Sequence, residues 1–178
     1  MSVENLLKAM LMNSANDAAI ALAKHVSGTE KNFVELMNKK AYELGIRDSN
    51  FCTASGLEID GEESECYSSA YDIARIAAYS MKYDLIWEIM RLPNNLTVYS
   101  SDGKYSHEII NTDIVMDQIS GFLGGKTGFT PLAGHSLLMA AADPNQKHKI
   151  ISVVLDDPYR WRDIKTMVNW AFEAYEWR

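Results

Sequence analysis

The spacing of apolar residues changes near residue 92, and this change limits the folds that are open to the chain. Upstream, apolar positions recur at intervals of about three to four residues, as on one face of an α-helix. Downstream, short apolar runs of strand length alternate with turn residues. Helices followed by strands predict an α+β fold, in which a helical lobe precedes an antiparallel sheet with a covering helix. We expect one domain with a mainly helical part over 1–92 and a sheet-containing part over 93–178.

The helices of the first part are predicted from apolar spacing and from residues that start and stop helices. They cover about 6–12, 18–25, 30–44, 70–81 and 85–90. Gly28 and Gly45 stand just past the second and third of these segments. Because glycine is common immediately after a helix C-terminus, both helices are expected to end there.

The second part begins with a predicted β-hairpin. Segments 96–100 and 105–110 flank Asp102-Gly103, a dipeptide that favours a two-residue turn between strands. Three more strands are predicted over 122–130, 136–142 and 150–155. A last helix follows Asp157-Pro158, and its apolar stripe would cover the sheet.

Composition and charge argue against several kinds of function. The formal net charge is −7 and the basic residues form no stripe, so nucleic acid is not an expected partner. No apolar run reaches the roughly 18 residues of a membrane span, and no signal peptide or membrane anchor is visible. The histidines and cysteines show no metal-ligand spacing, and no cofactor is expected. Cys52 and Cys66 could pair, so their redox state stays open.

Two tripeptides could provide catalytic chemistry, Ser14-Ala15-Asn16 near the start of the chain and Lys126-Thr127-Gly128 on a predicted strand. The motifs S-x-N and K-T-G occur with S-x-x-K in penicillin-binding proteins and class A β-lactamases. Each tripeptide also has a purely structural interpretation. The first could cap the second helix, since serine and asparagine are preferred capping residues. The second could be a strand segment with a bulge at its glycine.

Longer segments around both tripeptides resemble the low-molecular-mass D-alanyl-D-alanine carboxypeptidases, serine-type penicillin-binding enzymes with a transpeptidase-like fold. The resemblance extends in order over essentially the whole chain. The similar segments are 6–23, 33–45, 69–74, 121–134, 150–155 and 170–172. It implies a partial catalytic domain of an enzyme that removes the terminal D-alanine of peptidoglycan stem peptides through an acyl-enzyme and that binds penicillin.

The resemblance also implies roles for the residues of the two tripeptides. Ser14 would pass a proton to the departing D-alanine amine, and Asn16 would bind the substrate peptide and help to hold the catalytic lysine. Lys126 would supply a positive charge to the site. Thr127 would bind the terminal carboxylate, and Gly128 would leave room for a peptide to lie along the strand.

The substrate groove would include further residues by the same resemblance. Phe129 and Thr130 continue the K-T-G strand and would contact substrate. Arg162, and also Arg160, are candidates for a second carboxylate contact, although both could equally be solvated charges at the start of the last helix. The implied partners are a stem peptide ending in D-Ala-D-Ala and β-lactam antibiotics. The implied location is the cell envelope, outside the cytoplasmic membrane.

The S-x-x-K motif, which would provide the nucleophile, is missing from its expected place before S-x-N. The only serine ahead of Ser14 is Ser2, and the third residue after it is Asn5. Ser101 and Lys104 have the right spacing, but they flank the predicted hairpin turn and follow Ser14 in the chain. We therefore expect this chain alone to be inactive, with the nucleophile segment upstream of it.

Two alternatives to that enzyme are considered. A non-catalytic module could bind peptidoglycan peptides after loss of the nucleophile, although the retained S-x-N and K-T-G argue against such decay. A β-lactamase would need an E-x-x-L-N motif, and the chain contains no Leu-Asn dipeptide. The resemblance to the carboxypeptidases also implies that N-terminal strands complete the sheet beside its last strand. Without them, 150–155 would be an uncovered apolar edge, which predicts self-association.

Overall fold

The first part of the chain is helical and the second part contains the strands, which confirms the α+β prediction. The computed structural model describes residues 1–59, 65–93 and 96–177. The helices are α1 (Val3–Met12), α2 (Asn16–Ser27), α3 (Glu30–Glu43), α4 (Ala70–Ser80), α5 (Asp84–Met90) and α6 (Arg160–Ala174). The strands are β1 (Leu96–Tyr99), β2 (Ser106–Ile109), β3 (Phe122–Thr130), β4 (Gly134–Ala142) and β5 (Lys149–Val154). Over the described ranges, no helix is long and apolar enough to cross a bilayer.

Capping side chains and glycines set the helix ends. The hydroxyl groups of Ser2, Thr29 and Ser69 accept hydrogen bonds from amides in the first turns of α1, α3 and α4. Such caps satisfy amide groups that have no partner inside the helix. Gly28 and Gly45 follow α2 and α3 with φ of 80° and 73°, a conformation that other residues rarely adopt. Both predicted helix ends are thus confirmed.

The predicted hairpin forms, but its turn is longer than expected. β1 and β2 pair in an antiparallel register centred on Asp102-Gly103. The strands stop at Tyr99 and Ser106, and the Gly103 amide donates to the Ser100 carbonyl at 2.9 Å. Gly103 has a φ of 71°. A turn followed by a left-handed residue is the usual geometry of longer hairpin connections, so the two-residue turn was the wrong prediction.

The main sheet has the strand order β3-β4-β5 and lies between helices on both faces. All its strands are antiparallel. Alternate residues of β4 point to opposite faces, as in any strand. Leu137, Met139 and Ala141 pack with α6, whereas Leu138 and Ala140 pack with residues of α4 and α5. The centre of the fold is therefore β4, with β3 and β5 on either side.

Both outer strands of this sheet have a free edge. Within the described residues, no strand pairs with the outer side of β3 or of β5. β5 is rich in isoleucine and valine, so it is an apolar edge of the predicted kind. The outer edge of β3 faces the junction between α1 and α2, where a side-chain contact joins the two.

Cys52 and Cys66, whose redox state the sequence left open, form a disulfide. The Cα atoms of the two residues are 5.6 Å apart. The segment that the disulfide closes includes Glu58, whose carboxylate accepts hydrogen bonds from the Thr130 hydroxyl and the Leu132 amide. These contacts hold the segment against the end of β3.

Candidate active site

Ser14 lies at a sharp junction between α1 and α2. Its φ is 55°, in the left-handed region that a serine seldom occupies. The Ala15 amide donates to the Ala9 carbonyl at 3.1 Å, which holds the turn in place. Unusual backbone of this type clusters at functional sites. The capping interpretation is wrong, because Ala15 is the N-cap of α2 and no side chain makes a capping hydrogen bond there.

The K-T-G tripeptide on β3 meets this junction through its lysine. The Lys126 ammonium donates to the Ser14 hydroxyl and to the Thr127 carbonyl, each at 2.7 Å. The register shift of β3 falls between Phe122 and Gly124, upstream of the tripeptide. A bulge at Gly128 is therefore not observed, and the two candidate motifs come together at one place.

The local environment lowers the pKa of Lys126. Burial, and secondly the positive charge of Arg160, lower the pKa of Lys126 to about 8. No carboxylate in the described part of the chain forms a salt bridge with either cation. The buried Asp113 interacts electrostatically with Arg160 without forming a salt bridge. Two neighbouring cations without a salt-bridge partner among the described residues favour the binding of an anionic ligand.

A groove of about 650 Å³ runs along the outer edge of β3. It brings together most of the predicted site residues: Ser14, Asn16, Lys126, Thr127, Gly128, Phe129 and Thr130. The Asn16 amide has no hydrogen-bond partner among the described residues, so it is available to a ligand. A Cβ added at Gly128 would meet only the Ser136 Cβ, at 3.5 Å. The groove therefore has room for an extended peptide beside the strand.

The far end of the groove is built by Thr130 and Phe129. The Thr130 hydroxyl donates to the Glu58 carboxylate and accepts from the Ala133 amide at 3.0 Å. This hydroxyl holds the β3–β4 turn and the disulfide-closed segment in place. The Phe129 ring is 60% exposed and stacks on His135, with the ring centroids 4.5 Å apart. Both residues line the groove, in continuation of the K-T-G strand.

Of the two candidate arginines, only Arg160 lines the groove. The Arg162 guanidinium donates to Asp163 at 2.6 Å and lies over the Tyr159 ring, away from the groove. Arg160 lies in the groove instead, where it donates to the Gly128 and Ser136 carbonyls at 2.8 and 3.2 Å. Residues two apart on a helix point to nearly opposite sides, so only one of them can face the groove.

The S-x-x-K sequence at Ser101 lies outside the groove. Both Ser101 and Lys104 are exposed in the β1–β2 connection, and the Lys104 ammonium is 3.6 Å from Asp102. Among the described residues that line the groove, no serine is followed three residues later by a lysine.

Several residues that line the groove were not predicted from the sequence. Ser55, Gly56 and Leu57 also line the groove. So does Thr112, whose hydroxyl oxygen lies 2.6 Å from that of Thr127. No local pattern identifies these residues. In the described part of the chain, no cluster of histidine, cysteine or acidic side chains is suited to a metal ion.

Comparison with known proteins finds peptidases that are similar to this chain. A sequence profile of the S11 peptidases, described as D-alanyl-D-alanine carboxypeptidase, matches residues 1–159. The chain is 33% identical over 177 residues to the D-alanyl-D-alanine carboxypeptidase DacF of Bacillus subtilis. It is 34% identical over 181 residues to DacA of Haemophilus influenzae, which has the same description. The alignments cover 99% and 98% of this chain but 44% and 43% of the relatives, so the chain spans less than half of their length.

Solved structures share the fold. A D-alanyl-D-alanine carboxypeptidase from Mycobacterium tuberculosis superposes with a TM-score of 0.85 at 28% identity, over 99% of this chain and 66% of that one. An evolved putative penicillin-binding protein homolog from the same organism superposes with a TM-score of 0.87 at 29% identity, over 100% of this chain and 67% of that one. Penicillin-binding protein D2 from Listeria monocytogenes, in its cefotaxime-bound form, superposes with a TM-score of 0.77 at 28% identity, over 98% of this chain and 66% of that one.

Proposed function

Because the chain belongs to the D-alanyl-D-alanine carboxypeptidase family of S11 peptidases, we propose that it forms part of a serine-type enzyme that removes the terminal D-alanine of peptidoglycan stem peptides. One contact supports this proposal most strongly. The Lys126 ammonium donates to the Ser14 hydroxyl at 2.7 Å, which joins the S-x-N and K-T-G motifs at one end of a peptide-sized groove. In this proposal the reaction passes through an acyl-enzyme on the serine of S-x-x-K, and β-lactams acylate that serine as well.

The nucleophilic serine and its lysine come, in this proposal, from a segment outside the 178 residues. The groove residues in the described part of the chain contain no S-x-x-K. The curated relatives are more than twice as long as the aligned region. The isolated chain is then inactive, and it contributes proton transfer and substrate binding to the complete site.

Ser14 and Lys126 can return a proton to the leaving group. When the scissile C–N bond breaks, the D-alanine nitrogen needs one proton, and the Ser14 hydroxyl can donate it. The Lys126 ammonium already donates to Ser14 Oγ, so it can replace the proton that the serine gives up. A lysine with a pKa of about 8 can give and regain that proton near neutral pH.

Substrate binding is assigned to the β3 edge and to the cations beside it. The backbone of the stem peptide lies along β3 near Gly128, where no side chain blocks it. Its terminal carboxylate is bound by the Thr127 hydroxyl and by the positive charges of Lys126 and Arg160. The free side-chain amide of Asn16, which also lines the groove, binds the peptide.

A second candidate is a module that binds stem peptides without cleaving them. The lack of S-x-x-K among the described groove residues favours it, because all the assigned binding groups are present without a nucleophile. In either case we place the protein outside the cytoplasmic membrane. The Cys52–Cys66 disulfide supports this location, because such bonds persist in oxidising compartments.

D-alanine release distinguishes the two candidates. The longest product of the gene, including any sequence upstream of the Met1 codon, is incubated with a peptide ending in D-Ala-D-Ala, and free D-alanine is measured. The proposal expects release by that product and none by the 178-residue chain alone. Binding without release supports the non-catalytic module. A product that neither binds nor cleaves the peptide contradicts both candidates.

A further inference from the structure

We propose that Thr112 is a positioning residue for Thr127, and that the pair of hydroxyl groups sets the preference of the groove for a terminal carboxylate. The inference rests on the proposed function, in which Thr127 binds that carboxylate. The two side-chain oxygens are 2.6 Å apart, and both residues line the groove. Thr112 precedes β3 in the chain and belongs to neither recognised motif.

Thr112 connects three parts of the site. Its amide donates to the Met12 carbonyl at 3.0 Å, and its hydroxyl lies 3.2 Å from the same oxygen. Met12 ends α1, two residues before Ser14. On the other side, the Thr112 hydroxyl meets Thr127, the residue after Lys126. The serine junction and the K-T-G strand are therefore held together through this one side chain.

The residues on either side fix the position of Thr112. The Asn111 amide group donates to the Met90 and Leu92 carbonyls at 2.8 and 3.0 Å, which attaches the segment to the end of α5. Asp113 is buried, with one carboxylate oxygen so close to β3 that a Cβ at Gly125 would lie 2.2 Å from it. Because the backbone is fixed on both sides, the Thr112 hydroxyl is held in a defined place.

A threonine hydroxyl has only one proton, so the contacts of Thr112 allow two arrangements. In the first, Thr112 donates to the Met12 carbonyl and Thr127 donates to Thr112, so that the lone pairs of Thr127 face the groove. In the second, Thr112 donates to Thr127, and the Thr127 proton is free to point into the groove. In both arrangements the Met12 carbonyl still accepts the hydrogen bond from the Thr112 amide, so the carbonyl always has a partner.

A carboxylate ligand selects the second arrangement, because a carboxylate can only accept hydrogen bonds. A donor that itself accepts a hydrogen bond is polarised and binds an anion more strongly. A neutral amide can donate as well as accept, so it gains little from the choice of arrangement. Thr112 thus favours ligands that end in a carboxylate over the same ligands ending in an amide.

The test compares an acetylated D-Ala-D-Ala peptide with its C-terminal amide, each titrated into the chain and followed by NMR. The wild type is expected to bind the acid more tightly than the amide. In Thr112→Val the affinity for the acid falls about five- to tenfold, because Thr127 loses the hydrogen bond that orients and polarises its hydroxyl, while the affinity for the amide stays the same. Thr112→Ser, which keeps the hydroxyl, retains the wild-type preference. Thr112→Ala replaces the valine variant if that variant does not fold.

Two further variants complete the test. Thr166→Val is the matched control, because the Thr166 hydroxyl donates to a carbonyl on the exposed side of α6. In a Thr127→Val background, Thr112→Val is expected to cause no additional loss. An unchanged preference in Thr112→Val, or an equal loss for acid and amide, overturns the role of Thr112 alone. A wild type that binds neither ligand, or binds both equally, overturns the proposed function together with it.

Discussion

The Lys126 ammonium donates to the Ser14 hydroxyl across 2.7 Å, although 112 residues separate them in the chain. One residue belongs to the junction of two helices and the other to the outer strand of the sheet. Their meeting converts two short motifs into one site at the end of a groove. The environment of that contact also lowers the pKa of Lys126 to about 8, so binding in the groove should depend on pH.

Binding of a peptide with a free C-terminal carboxylate should weaken at alkaline pH. The ligand needs the charged form of Lys126, and this form is lost as the pH rises through a pKa of about 8. Affinity should be level below about pH 7 and about tenfold lower at pH 9. Titrations across this range measure the midpoint, and the corresponding peptide amide is the control. Arg160→Gln removes a like charge and should move the midpoint upward. A midpoint at the ordinary pKa of lysine would contradict the site environment described above.

Two glycines of β3 should respond differently to alanine. In Gly125→Ala the new Cβ would lie 2.2 Å from the Asp113 carboxylate, so the free energy of unfolding should fall by about 2 kcal/mol. In Gly128→Ala the new Cβ has only a contact of 3.5 Å, and stability should change by less than about 0.5 kcal/mol. Gly128→Ala should nevertheless weaken peptide binding. Urea unfolding of both variants tests this, and equal destabilisation would be the contrary result.

Reduction of the Cys52–Cys66 disulfide should destabilise the protein. The bond joins residues 14 apart, and a loop of that length is worth about 3 kcal/mol through restriction of the unfolded chain. Thermal unfolding with and without reductant measures the loss. A variant with serine at both positions should be less stable and insensitive to reductant. A wild type that unfolds at the same temperature in reductant would contradict the prediction.

The 178-residue chain should self-associate through β5. This strand is apolar, and its outer edge has no partner strand in the described part of the fold. Exposed edges of this type pair with other chains. Sedimentation velocity over a concentration series up to tens of micromolar should show dimers or larger species. A single monomeric species throughout the series would count against the prediction.

Local sequence patterns were sufficient to predict most of the secondary structure. The K-T-G strand was predicted with its observed bounds, because turn residues stand at both of its ends. The hairpin was placed correctly around Asp102-Gly103, but its turn length was not. A two-residue connection and a longer one can share the same centre, so the dipeptide alone does not distinguish them.

The site could be predicted only where a motif identified it. The hydroxyl pair of Thr112 and Thr127 depends on how β3 packs against a loop, which no periodicity describes. Arg160 could have been preferred to Arg162, because it stands four residues before the buried Ile164 and therefore on the same helical face. The disulfide required the distance between Cys52 and Cys66, and a spacing in sequence does not provide it.

Penicillin acylation tests the central claim most directly. The longest product of the gene is mixed with a fluorescent penicillin, and covalent labelling is followed over time beside Lys126→Ala. The account predicts labelling of a serine outside the 178 residues and a rate about a hundredfold lower in the variant, because the charge that stabilises the developing anion is lost. Absence of any covalent adduct, or an unchanged rate in Lys126→Ala, would contradict it.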